Sequence, residues 1–189
     1  MTRLSGDQRR RLLRAAREAV EVKVRGTRPP QFVGQKEARA SGVFVTLRID
    51  QVLRGCVGQV EATDSLVDTV CHVAAAAATE DPRFSPVGLD ELAAIVVEVS
   101  VLGPLEACSG PNDVEVGRHG LVAEADAWCG LLLPQVAVEW GWDRHVFVAN
   151  ACAKAGLPSD AWEKSATLFR FEAEVFSEDD EGLPDSPRP

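Results

Sequence analysis

The segment Leu53-Arg54-Gly55-Cys56-Val57-Gly58 sets a thiol two positions from a guanidinium, with a glycine on either side of the sulfur. In an extended segment side chains alternate, so Arg54 and Cys56 share one face while Leu53 and Val57 share the other. A guanidinium beside a thiol favours the thiolate, which is the nucleophilic form. Glycines inside a strand mark a bulge or a place where a ligand or backbone comes close. The competing reading is a packed cysteine in a glycine-kinked strand, with Arg54 paired to an acid. A cysteine nucleophile needs a base, and the chain has three histidines. His145 stands beside a helix cap, a surface position, and His72 lies on a partly exposed side of an amphipathic helix. His119, within Gly117-Arg118-His119-Gly120, lies between glycines that permit a tight turn or bulge aiming the ring into a cleft. An exposed turn histidine is the alternative. Glu98, on the polar face of a valine-rich strand, is a candidate for orienting the base or binding an amine, or else for a salt bridge within the sheet. Gln135 and Lys154 are candidates for holding polar groups of a substrate, or for serving a helix end. The chain contains no phosphate loop, Rossmann fingerprint, HExxH or GxSxG.

The elements that must position these groups follow from periodicity. Ser5 and Gln8 have capping-box spacing, and Leu12, Ala16, Ala19 and Val20 recur on one face, which predicts an amphipathic helix from about Asp7 to Val24. Gly26 and Pro29-Pro30 end it. Val43, Val45, Leu47 and Ile49 alternate with Phe44, Thr46 and Arg48 in one strand, and Asp50-Gln51 connects it to a second, Val52 to Val60, as an antiparallel hairpin. Thr63 or Asp64 caps the next helix, which finishes near Glu80 because Pro82 disfavours helical geometry at Asp81. After a helical turn around Asp90 to Ala93, Ile95 to Leu102 reads as a strand, and Val114 to Glu124 as an extended region interrupted by Gly117 and Gly120. Asp143 caps a helix from Arg144 to Ala155 that stops at Gly156, Leu157 and Pro158. Phe169, Phe171, Ala173 and Val175 form a final strand. From Ser177 to Pro189 the chain reads as an acidic, disordered tail outside a domain of residues 1–176. Helices mixed with hairpin-like strands favour an α+β fold with a largely antiparallel sheet and flanking helices.

Composition narrows the function classes. The chain has 189 residues, enough for one sizeable core, and no apolar run approaches the roughly 20 residues that span a bilayer. With no apolar leader at its start, it is expected in the cytoplasm. Its five cysteines, at 56, 71, 108, 129 and 152, form no CxxC pair. That predicts free thiols, no disulfide, no bound metal and no cofactor. Net charge is −9, yet residues 1–28 carry +6 and the remainder −15. Such an acidic body excludes a broad basic groove, so nucleic acid is not an expected partner. The basic cluster Arg9, Arg10, Arg11, Arg14 and Arg17 reads as a solvated helix face.

Taken in order, these segments resemble the AMMECR domain family. Gly42-Val43-Phe44-Val45-Thr46-Leu47 with Leu53-Arg54-Gly55-Cys56-Val57-Gly58 is similar to its hallmark block. Asp81-Pro82-Arg83-Phe84, Val97 to Leu102, Gly117 to Leu121, Leu131 to Ala137 and Cys152 to Leu157 follow in family order, ending at Trp162. The likeness covers about residues 8 to 176, with Val57 where isoleucine is common. It implies an α+β domain of two lobes, the larger from both chain ends and the smaller inserted, with the cysteine in a cleft between them. Relatives called AmmeMemoRadiSam system protein A imply a Memo-like protein and a radical-SAM protein as partners. Two functions are therefore expected. One is an enzyme with Cys56 as thiolate nucleophile, Arg54 tuning it, His119 as acid–base and Glu98 orienting, acting by group transfer or hydrolysis on a small molecule or modified residue. The other is a non-catalytic binding or adaptor module.

Overall fold

The computed structural model of the chain describes residues 3–27, 42–60 and 65–182. Its contacts gather into two compact units, one made from the segments before residue 102 and after residue 173, the other from Leu102–Ala173. Each unit closes on its own apolar core.

The unit made from both chain ends opens with α1 (Gly6–Arg25). Ser5 accepts from the Gln8 N–H while the Gln8 side chain accepts from the Ser5 N–H, the reciprocal capping box that the spacing predicts. At the other end Gly26 adopts φ +66°, and Gly26 and Thr27 N–H donate to Lys23 and Val22 carbonyls, so two orphaned acceptors are satisfied. The prolines expected to follow lie outside the described residues. β1 (Gly42–Ile49) and β2 (Val52–Val60) form the expected antiparallel hairpin, with Asp50 and Gln51 both at positive φ in the turn. α2 (Leu66–Thr79) is capped by Ser65, whose hydroxyl accepts from the Asp68 N–H; Thr63 and Asp64, the caps expected from sequence, lie outside the described residues. β3 (Ile95–Leu102) completes the hairpin's sheet on the β1 side. Leu12, Leu13, Val20, Val43, Val45, Leu47, Val67, Val70, Val97 and Val99 all bury against one another.

The arginines of α1 are not merely solvated. Arg17 pairs with Glu178 and donates to the Leu92 and Ile95 carbonyls. Arg9 reaches Glu174 and Glu181, and Arg10 reaches Glu181. Glu178 also accepts from the Val97 N–H. Residues 177–182 are thus held to α1 and β3, where composition alone predicts a free acidic tail.

In the inserted unit, β4 (Glu106–Cys108) and β5 (His119–Ala125) both pair with β7 (Thr167–Ser177), and β5 pairs with β6 (Trp128–Leu132), all antiparallel. β7 runs from this unit into the other, because its residues divide between them at Ala173. α3 (Pro134–Glu139) and α4 (Arg144–Lys154) follow β6. α4 has the expected Asp143 cap, and its Schellman stop is intact: Gly156 donates to Ala153 and Leu157 to Cys152. The extended region expected at Val114 begins only at His119. Glu115 instead closes a turn, its carbonyl accepting from the Arg118 and His119 N–H groups, and Gly117 at φ +86° makes that turn possible.

Candidate functional site

Cys56 lies mid-strand in β2, half-buried, opposite Thr46 of β1. The Thr46 hydroxyl donates to its sulfur at 3.4 Å. Its backbone is pinned from beyond α2. The Cys56 N–H donates to Asp81 Oδ2 at 2.8 Å, and its carbonyl accepts from Arg83 Nη2 at 3.2 Å. Asp81 is the keystone. Its side chain is 3% exposed, and Oδ1 and Oδ2 take Arg83 Nε and Nη2 at 2.9 and 2.7 Å. The Arg83 hydrogen bond, helped by backbone N–H donors from Cys56 and Arg83, holds the Asp81 carboxyl down at about 2. Arg83 is raised above its ordinary value, first by Asp81, with the Cys56 thiol adding to it. The guanidinium also lies 5.5 Å from the Phe84 ring centre.

Arg54, expected to tune the thiol, points to a different partner. Its Nε and Nη2 make a two-pronged pair with Glu91 at 2.6 and 2.8 Å, and Nη1 and Nη2 donate to the Ser85 and Pro86 carbonyls. Glu91 is held down at about 2, chiefly by that hydrogen bond and by the Gly88 N–H. So Arg54 clamps the 85–91 loop, and the cation beside Cys56 is Arg83. Sequence reasoning passed over Asp81 and Arg83 as site residues. The only trace was the Asp81-Pro82-Arg83-Phe84 block, which has no periodicity to give it a direction. The flanking glycines serve packing: a Cβ on Gly55 would sit 2.3 Å from the Ala77 carbonyl oxygen, and one on Gly58 would sit 2.0 Å from the Phe44 ring. Glu98 lies 3.9 Å from Arg48 across the sheet, the ion pair weighed as the alternative for it.

His119 belongs to the inserted unit and is 9% exposed. It opens β5, opposite Glu172 of β7. The Glu115 N–H donates to its Nδ1 at 3.0 Å, so the proton of the neutral ring sits on Nε2. Burial pushes the imidazole below its ordinary value, and Arg170 and Arg118 push the same way. The ring lines a pocket of about 580 Å³ walled by Pro104, Val114 and Phe171 and rimmed by charged pairs. Arg118 reaches Glu172 at 2.7 Å and Glu115 at 3.2 Å, while Arg170 reaches Glu106 at 3.2 Å and the Asp113 carbonyl at 2.6 Å. Gly120 is required here as well, since a Cβ would meet the Phe171 ring at 2.3 Å. Gln135, at the start of α3, has a buried Oε1 with no partner among the described residues, and Lys154 is exposed in the last turn of α4, where its charge suits the helix end. The structure therefore gathers Cys56, Arg83, Asp81 and Thr46 in one unit and His119, Arg118 and Arg170 in the other.

A family model described as AMMECR1 matches residues 13–176. The chain belongs to the AMMECR1 family. Protein PF1979 of Pyrococcus furiosus is 45% identical over 182 residues, covering 89% of this chain and 87% of that one. A Methanothermobacter thermautotrophicus protein is 44% identical, with 93% and 97% covered. The crystal structure of an uncharacterized protein, PH0010 from Pyrococcus horikoshii, superimposes with a TM-score of 0.83 at 42% identity, covering 94% of this chain and 95% of that one. The α+β fold is thus that of the AMMECR1 family, and the function of these relatives is not assigned. Among the described residues no helix is long and apolar enough to cross a membrane, and no three His, Cys, Asp or Glu side chains converge as a metal cluster.

Proposed function

We propose that this AMMECR1-family chain is an enzyme that uses the Cys56 thiolate as nucleophile, in group transfer or hydrolysis on a small molecule or a modified residue. The carrying observation is the setting of Cys56: its half-buried sulfur accepts from the Thr46 hydroxyl at 3.4 Å, and its carbonyl accepts at 3.2 Å from the Arg83 guanidinium that Asp81 fixes. A hydroxyl donor on the sulfur and a guanidinium fixed on the same residue are the kinds of group that assist a thiolate nucleophile. In this reading the thiolate attacks an electrophilic carbon and the leaving group departs with a proton. Water or an acceptor then releases the acyl or alkyl group and returns the thiol. Thiol-specific alkylation at neutral pH, with each cysteine located by mass spectrometry, tests it. Cys56 should react first of the five, and Arg83→Gln should slow it while Arg54→Gln should not. Equal or slower reaction at Cys56 sinks the reading.

A second reading is a binding module working with a Memo-like and a radical-SAM protein. Trp128, Val138 and Trp140 of the inserted unit favour it, since they are large apolar side chains left 60–69% exposed, with Trp140 stacked on Trp142 at 6.0 Å. Under that reading Trp140→Ser breaks association with such partners, and Cys56→Ser leaves it intact.

A further inference from the structure

We propose that the pocket of the inserted unit is a binding site for a small zwitterion, of about dipeptide size, bearing a carboxylate and an ammonium. The argument starts at His119. Its ring is nine-tenths buried, its Nδ1 is taken by the Glu115 N–H, and its Nε2 has no partner among the described residues although the ring lines the cavity. A ring N–H that opens on a cavity with no protein acceptor is free to donate to a ligand.

The charges around it define the rest of the ligand. The lining holds four carboxylates, those of Glu106, Asp113, Glu115 and Glu172, against two guanidiniums, Arg118 and Arg170. A simple anion would face that negative excess. A simple amine would face two arginines and leave the His119 Nε2–H without its acceptor. A zwitterion answers both. Its carboxylate accepts from Nε2–H and from Arg118, and its ammonium takes the carboxylate that Arg118 releases. The exchange is cheap because the existing pairs are exposed: Arg118 is 59% exposed, and Glu172 and Glu115 are 43% and 64%. Ion pairs so placed add little to folding, which leaves them available to a ligand. The volume, about 580 Å³, falls in the range of small-molecule sites, and Phe171, Val114 and Pro104 give it an apolar wall.

The site does not depend on thiol chemistry, because every residue in it lies within Leu102–Ala173. Its test is a titration of the full chain, following ring resonances of His119 with His72 and His145 as internal controls. Three probes are used: glycylglycine, N-acetylglycylglycine, which is only an anion, and glycylglycinamide, which is only a cation. Glycylglycine should shift His119 saturably, and each blocked probe should bind about tenfold more weakly or worse. Arg118→Gln should weaken glycylglycine by a similar factor with the melting temperature unchanged, and Cys56→Ser should bind as the parent chain does. The proposal is overturned if glycylglycine produces no saturable shift up to about 20 mM. It is equally overturned if a blocked probe binds as well, or if Arg118→Gln binds undiminished.

Discussion

The neighbourhoods of Cys56 and His119 both carry arginine–carboxylate pairs, but the pairs do opposite things. Around Cys56 they are anchored to backbone: Asp81 holds the strand N–H, Arg83 its carbonyl, and Arg54 and Glu91 the loop 85–91. Around His119 most of the pairs join exposed side chains on the rim of a pocket. Charges locked to backbone shape a fixed site, whereas charges paired loosely at a rim can change partners. Predictions that break or sharpen this contrast can be ranked by expected effect.

The largest concerns Gly55. A Cβ there would stand 2.3 Å from a backbone oxygen of α2, which no rotamer can relieve. Gly55→Ala should cost about 3 kcal/mol in chemical denaturation, the upper end for overpacking. Asp81→Asn comes next. It removes the anion that fixes Arg83 and weakens the acceptor for the Cys56 N–H. Because Arg83 is itself 55% exposed, screening takes part of the effect, and about 1–2 kcal/mol should be lost.

Acid should act on the same groups. Asp81 and Glu91 both sit at about 2 in the folded chain, below their ordinary values of 3.8 and 4.5. Between those limits the unfolded chain binds more protons. Their stabilisation is therefore complete above about pH 4.5 and is lost as pH falls toward about 2. Stability measured from pH 5 to 2 should fall less steeply in Asp81→Asn than in the parent chain.

Thiol labelling gives a smaller but more local readout. The other four thiols are all pushed up, Cys71 to about 11 by burial and by Asp68 and Glu18, with Cys108, Cys129 and Cys152 raised chiefly by burial. Cys56 should label ahead of them at neutral pH. If His119 serves it as acid–base, the expectation drawn from sequence, His119→Asn should change the pH profile of that labelling. The smallest effect belongs to the rim: Arg118→Gln should leave thermal unfolding unaltered.

What was legible in the sequence was mostly local. Capping spacing placed α1, alternation placed the hairpin and β3, and Asp143 with Gly156 bounded α4, because each signal acts over a turn or two of chain. The misses depend on distant partners. Alternation shows that Arg54 and Cys56 share a face, but not that Glu91, 37 residues on, will take the guanidinium. Asp81 follows a helix with no pattern of its own, and the groups that satisfy it once buried include the Cys56 N–H of distant β2 as well as Arg83. The strand expected at Val114 gave way to a turn because Glu115 bonds back to His119. The short β4, β6 and α3 offered too few residues for a period to register. The acidic end misled for another reason: composition sees a solvated run, and only the excess of arginine on α1 hinted at its destination.

β7 divides at Ala173, and this has a consequence for the order in which the chain can take shape on the ribosome. All the residues of the inserted unit, 102–173, have been synthesised before Glu174 appears. The other unit begins first and finishes last: Phe176 belongs to its core, and Glu174, Glu178 and Glu181 are the acids that grip α1. A nascent chain therefore cannot complete the packing of α1 and β3 until Glu174 to Glu181 have been made, while the whole sequence of the histidine pocket is already in place.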